Sequence, residues 1–392
     1  MITQIDISNF RSIKQQSIPL KKLNILYGPN GSGKSSVGYA PYVMRNFFVN
    51  PNQRIDSLFN LGFINLGGIS DVKHLQQKYA SPRIEITYNC NDFLFSIEDD
   101  KKNYVRMMLY LNQDLNQSNI RFKFDNVEER VELMFPYTLN TKKEILYKNE
   151  RIIWNGLTFD SLSSNSSQSI YVIAWNLVYE SIKCIELISV KRGFFSPIFS
   201  TEQATEESLF AMQIRDEGSS FEGKIDYYFK QLFDKTFRFV AIPGSTSFYL
   251  RTQNSKGFTT DLVNEGFGVN QTLYMLIKLL KKNTSLAFIE EPEIHLHPSA
   301  QRKLVDVFAE IVEKENKQIF LTTHSENIVS AVLTKIAAGE LNKNDVQFLM
   351  AHVENDETKI TVQEVNDKGQ IEGGLMSFME TELSYLKTLL GA

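Results

Sequence analysis

Cysteine is nearly absent: the 392 residues include two, Cys90 and Cys184, far apart and without partners at metal-ligand spacing. That excludes a disulfide framework and a cysteine-built metal site, and it predicts a reducing compartment. Long apolar runs are missing too, and Met1-Ile-Thr-Gln-Ile5 lacks a basic start leading into an apolar core. Neither a membrane span nor a secretion signal is expected, so the chain reads as cytoplasmic with no membrane partner. Positive charge is not in excess: 42 Lys and Arg against 46 Asp and Glu leave a net charge of −4. A global basic field that would draw nucleic acid or anionic lipid is therefore excluded. Basic patches can only be local, at Lys21-Lys22, Lys142-Lys143 and Lys281-Lys282. No fixed-period repeat is present.

What the chain does contain is concentrated in a few segments. With 42% apolar residues it can bury a large core, and its length predicts two or three subdomains. The stretch Gly28-Pro-Asn-Gly-Ser-Gly-Lys34-Ser35-Ser36 fits G-x-x-x-x-G-K-[ST], between an apolar strand at Leu23–Tyr27 and a helix expected from Gly33 to about Phe48. Glycines let backbone N–H groups turn inward around phosphates, Lys34 supplies a point charge to the β/γ oxygens, and Ser35 offers its hydroxyl to Mg²⁺. Asn30, Gly31, Gly33, Lys34, Ser35 and Ser36 are accordingly the expected nucleotide-binding residues, with ATP and Mg as cofactors.

Downstream, Ser285-Leu-Ala-Phe-Ile289 reads as a buried strand that ends in Glu290-Glu291-Pro292-Glu293. In P-loop enzymes the first acid at such a strand end holds the Mg²⁺ shell and the next can orient and deprotonate the attacking water. Glu290 takes the metal role and Glu291 the catalytic one. A further strand, Gln318-Ile-Phe-Leu-Thr-Thr, closes on His324-Ser325.

This succession of strand, acids, helix, strand and histidine is similar to that of the ABC-type ATPases, in which the histidine donates to the γ-phosphate. The decapeptide Ile289-Glu-Glu-Pro-Glu-Ile-His-Leu-His-Pro298, with the opening Ile5-Asp-Ile-Ser-Asn-Phe-Arg-Ser-Ile13, resembles the SMC/RecF/OLD group and its OLD-like members most. The resemblance is strong over about residues 1–48 and 260–335. It implies an α/β fold, an ABC-type P-loop ATPase head with a mixed central sheet, an antiparallel β lobe and a helical insert. The expected parts are 1–83, the amino-terminal core; 84–160, a β-rich lobe; 161–258, a helical and β insert; and 259–392, the carboxy-terminal core.

By the same resemblance, Glu265-Gly-Phe-Gly-Val-Asn-Gln271 is the signature segment, opening a helix whose N-terminus suits phosphate. The commoner form of the family has serine where this chain has Gly266. Backbone N–H groups of Gly266 and Gly268, with side chains of Asn270 or Gln271, are expected to substitute, and a side chain at Gly268 is expected to meet a partner's γ-phosphate. His297 falls at the dimer seam or serves its own chain. Leu66–His74, where the family places a magnesium-contacting glutamine, has none, and Gln76 and Gln77 follow late. Arg192 in Lys191-Arg192-Gly193 matches an arginine-bearing motif of OLD-like relatives or is a solvated loop arginine.

Sustained heptads are absent, which separates the chain from coiled-coil SMC proteins. No Asp-x-Asp pair follows Ser325, so the nuclease chemistry of OLD enzymes is not expected. The resemblance implies a switch in which two copies sandwich ATP head to tail, as a homodimer or a higher even-numbered oligomer. Its expected setting is antiphage defence beside a protein effector encoded nearby. The alternative is a RecF/SMC-like ATPase that binds nucleic acid in DNA repair or recombination. A third setting, regulation of a protein partner, would use an amphipathic helix at Met376 to Leu390.

Overall fold

A computed structural model describes residues 1–76, 81–89, 104–111, 117–124, 127–134, 143–147, 150–160, 169–200 and 206–371. Cys90, Gln77, Lys142, the run Phe93–Ile97, the serine-rich 161–168 and the expected helix Met376 to Leu390 lie outside the described residues. Two compact units divide the chain. One joins Met1–Leu187 to Asn344–Gln363, and the other holds Ile188–Lys343 with the described residues from Glu364 onward.

In the first unit, Leu23–Tyr27 is buried along its whole length, polar Asn24 included, as fits a parallel strand covered on both faces. It pairs in parallel with Val346–Glu354, Leu23 facing Val346 and Tyr27 facing Met350. The second of these pairs antiparallel with Glu357–Gln363, so this sheet is mixed. The expected antiparallel lobe is also present. Its strand Arg83–Asn89 pairs with Ile2–Phe10, giving a six-stranded sheet in the order Ile13–Pro19, Ile2–Phe10, Arg83–Asn89, Tyr104–Leu111, Gln117–Phe124, Val127–Met134. The lobe thus grows from the chain's own first strands. A smaller antiparallel sheet holds Lys143–Tyr147, Glu150–Trp154 and Phe159–Asp160.

After the phosphate loop comes helix Lys34–Val49, which buries Val37, Val43, Met44 and Phe47 at helical spacing. It packs on helix Ile170–Lys183, where Phe48 meets Tyr179 edge-on at 5.4 Å and Tyr179 stacks on Trp175 at 4.4 Å between ring centres. Such pairs add about 0.5–1.5 kcal/mol beyond area burial.

In the second unit, Leu286–Glu290 and Gln318–Thr323 are both fully buried and pair in parallel, Glu290 opposite Thr322. Helix Pro298–Lys314 makes the crossover that a parallel pair requires. Its buried stripe, Leu304, Val305, Phe308, Ile311 and Val312, keeps the 3.6-residue period. Helix Ser219–Phe233 packs on this crossover helix and on helix Phe267–Leu280, and Lys224 bridges to Glu315 at 2.5 Å. Helices Glu206–Asp216 and Ser219–Phe233 are separated by a break at Gly218, φ 83°. Strands Lys235–Ala241, Ser247–Asn254 and Thr259–Asp261 turn at Gly244 and Gly257, both at positive φ. No helix among the described residues is long and apolar enough to cross a membrane.

Candidate active site

The phosphate loop lies in the first unit and is shaped by backbone. Gly28 sits at φ 147°, Gly31 at 75° and Gly33 at 85°. A Cβ at Gly28 would collide with the Ala351 carbonyl oxygen, and one at Gly33 with the hydroxyls of Thr358 and Ser12. Those two hydroxyls bond each other at 2.7 Å, so a turn residue and a strand residue prop the point where the helix starts. Lys34 is 7% exposed and folds back, Nζ donating to Gly28 O at 3.0 Å and Pro29 O at 2.8 Å. Its ammonium is thereby held over the loop on carbonyls that a phosphate would replace with stronger, charge-assisted partners. The Ser32 hydroxyl is buried without a hydrogen-bond partner, which fits a loop built to face a ligand. Asn30 and Gly31 are exposed on the loop, Gly33 and Ser35 half-buried, and Ser36 buried in the first helical turn.

The carboxylates lie in the second unit. Glu290 ends its strand 5% exposed, and its Oε1 is buried with no partner. An orphaned anionic oxygen of this kind fits the cation shell expected of it, because only a donor or a metal offsets its desolvation. Glu291 has φ 41°, a left-handed conformation that costs a non-glycine residue on the order of 1–3 kcal/mol. Its N–H donates to Thr322 O at 2.8 Å, and its Oε1 lies 3.7 Å from Nε2 of His324. The structure therefore brings the expected catalytic pair together.

Three residues that sequence reasoning left without a role also take part. Glu293 accepts from the Thr323 hydroxyl at 2.7 Å and from the His324 N–H at 2.9 Å, fixing the backbone from which the histidine projects. Its other oxygen, Oε2, is buried without a partner, and burial pushes its carboxyl above the usual carboxylate range despite those hydrogen bonds. Gln301 donates to Leu296 O at 2.9 Å and accepts from the Ser325 hydroxyl at 2.6 Å, tying the loop after the acids to the cap of helix Glu326–Ala337. His295, at φ 61°, bonds Gln271 through Nδ1 at 3.2 Å. Glu293 could have been found from the three acids at one strand end, whereas Gln301 and His295 carry no signal apart from their partners.

Arg192 is not a solvated loop arginine. It is 3% exposed and donates to Ser189 O at 3.0 Å, Glu290 O at 2.6 Å and Glu291 O at 2.9 Å. Burial lowers its guanidinium to about 10, opposed by Glu293, Glu290 and Glu291, so it stays charged near neutrality.

The signature segment opens helix Phe267–Leu280, with Gly266 at the N-cap. Asn270 departs from expectation. Its side chain accepts from Phe194 N at 2.8 Å and donates to Phe194 O at 2.8 Å and Leu262 O at 3.2 Å, so it latches two loops and has no hydrogen left for phosphate. Gln271 is likewise engaged with His295. A Cβ at Gly268 would strike His295 O and approach Leu296 Cδ2 at 3.0 Å, so that glycine is required inside its own chain before any partner is considered. Nothing lies within 4 Å of a Cβ at Gly266. His297 is exposed and caps helix Pro298–Lys314, Nδ1 accepting from Ser299 N at 3.3 Å.

Endonuclease GajA of Bacillus cereus (strain VD045) is 23% identical over 352 residues, which is 83% of this chain and 56% of that protein. The chain thus spans about half the length of this curated relative. Among solved structures, an SMC head bound to the C-winged helix domain of ScpA matches with a TM-score of 0.52 at 14% identity, covering 92% of this chain and 97% of that one. That likeness is one of fold, the ABC-type P-loop ATPase head. The AAA ATPase domain family matches residues 1–329, a span that takes in the phosphate loop, Arg192, the signature helix, the acids and His324. With most of its 392 residues inside that match, the chain belongs to the AAA ATPase domain family.

Proposed function

We propose that the protein is a Mg²⁺-dependent ATP-hydrolysing switch that dimerises head to tail on ATP and serves as the sensor of a prokaryotic antiphage system with a separate effector. The observation that carries the hydrolytic part is the 3.7 Å approach of Glu291 to His324, on a backbone fixed by Glu293. In this reading the phosphate loop takes the β/γ phosphates through its N–H groups and Lys34. Ser35 and Glu290 would hold the Mg²⁺, which would supply charge neutralisation at the phosphates. Glu291 orients and deprotonates the attacking water, and His324 donates to the γ-phosphate. Gly266 and Gly268 present backbone N–H groups to the nucleotide of the second copy. Binding that prefers the closed dimer drives closure, and hydrolysis resets it.

The antiphage setting rests on the OLD-like motifs. The endonuclease activity in the relative's name is not carried over, because the chain spans about half of that protein. A protein effector is favoured over nucleic acid by the net charge of −4, and among the described lysines of the local pairs Lys22 is bridged to Asp345, Lys21 donates to Val346 O and Lys281 donates to Gln213. The test is ATP turnover against protein concentration, with and without single- and double-stranded DNA, for wild type and Glu291→Gln. Turnover that rises with concentration and ignores DNA supports the reading. Stimulation by DNA would replace it with the RecF/SMC-like alternative, and an active Glu291→Gln enzyme would remove Glu291 as the base.

A further inference from the structure

Two consecutive acids that do different work must present their side chains differently, and here one arginine stands behind both. The backbone of Glu291 is left-handed at φ 41°, while that of Glu290 is still strand, paired opposite Thr322. A left-handed non-glycine residue persists only where the surrounding structure holds it. Nη1 of Arg192 donates to the carbonyl of Glu290 at 2.6 Å and Nη2 to the carbonyl of Glu291 at 2.9 Å. The Glu291 carbonyl also accepts from Ile294 N at 3.2 Å, and its N–H is taken by Thr322.

A buried arginine near carboxylates ordinarily forks onto a carboxylate group. Arg192 has three glutamates in its field and spends its fork on main-chain carbonyls. The consequence is chemical: its charge offsets the desolvation of the acids, yet no hydrogen bond from it occupies the oxygens required for metal and water.

We infer that Arg192 is a positioning residue for ATP hydrolysis, a guanidinium bridge across the carbonyls of Glu290 and Glu291 that sets the angle between the metal-holding and the water-orienting carboxylates. This rests on the roles proposed above for those two acids. The bridge needs a planar fork with two separated nitrogens, which lysine cannot supply from its single ammonium.

The test compares wild type, Arg192→Lys and Arg192→Ala for kcat and, separately, for affinity of a fluorescent ATP analogue, with guanidinium chloride added in the low millimolar range. Expected are a fall in kcat of at least about 10-fold in both variants, analogue affinity within about 2-fold of wild type, and partial recovery of Arg192→Ala, but not of Glu291→Gln, on adding guanidinium. Wild-type kcat in Arg192→Lys would overturn the inference. Joint loss of kcat and affinity with no rescue would do the same, marking a merely structural arginine. Should Arg192→Ala not fold, Arg192→Lys carries the comparison by its kcat against affinity. A wild-type protein that binds the analogue and does not turn over ATP fails the proposed function itself, and the inference with it.

Discussion

In the phosphate loop, positions are held by backbone: Gly28, Gly31 and Gly33 at positive φ within six residues, with a lysine folded onto carbonyls five and six residues before it. At the end of the acid strand they are held by side chains arriving from distant segments. Arg192 comes from 98 residues before Glu290, and Glu293 reaches 31 residues forward to His324. A backbone-built site depends on which residues tolerate a conformation, so it survives most changes around it and fails when a glycine or the lysine is lost. A site built from side chains depends on who meets whom, and its failures are spread over residues that never touch substrate.

The sharpest way to break the comparison is Glu291→Gln. Turnover is expected to fall on the order of 10²–10⁴-fold with ATP binding kept, measured by phosphate release beside equilibrium nucleotide binding. A variant that also loses binding would show that the acid side, too, holds the nucleotide. Lys34→Ala comes next: ATP affinity should drop on the order of 100-fold, about 3 kcal/mol, in a fluorescent-nucleotide titration, with the melting temperature unchanged. A large loss of melting temperature would mean that the lysine's bonds to Gly28 and Pro29 hold the empty loop together.

The two signature glycines sharpen the contrast further. Gly268→Ala should cost about 1–3 kcal/mol in denaturant unfolding, because its Cβ meets His295 O. Gly266→Ala has open space and should stay within about 0.5 kcal/mol, which makes Gly266, rather than Gly268, the clean position for testing contact with a second copy.

The smallest effects are in pH, and they run in opposite directions in the two units. The Glu293 carboxyl is raised by burial, so its protonation favours the folded state. The second unit should gain stability as pH falls through that raised value and level off below the ordinary glutamate range. Glu357 in the first unit is held down to about 2 by Lys14 and Lys359. Its contribution is present above the ordinary glutamate value and is lost as pH falls toward about 2. Hydrogen exchange of the two strand pairs between about pH 7 and about pH 3 should separate these trends, and Glu293→Gln should flatten the first alone.

The phosphate loop, its strand and helix, both parallel strands of the second unit and the acids and histidine at their ends were legible in the sequence, whereas the approach of Glu291 to His324 was not. Each legible part is written in a short stretch: an apolar run, a glycine pattern, an acid or histidine at a strand's end. Asn270 read as a phosphate contact because it follows the signature glycines, and only its three bonds to Phe194 and Leu262 show that it is a latch. His297 was open between a dimer seam and its own chain, and only the structure shows it capping helix Pro298–Lys314. Arg192 could be read as solvated or as functional, since a loop sequence says nothing about whether its side chain turns inward.

The sequence alone, then, determined the nucleotide chemistry and the fold class, because glycine conformations, apolar periodicity and acids at strand ends act over a few residues. The tertiary structure alone decided what holds the acids and the histidine in place. Those partners are joined across tens of residues by burial and hydrogen-bond geometry, which no local pattern encodes.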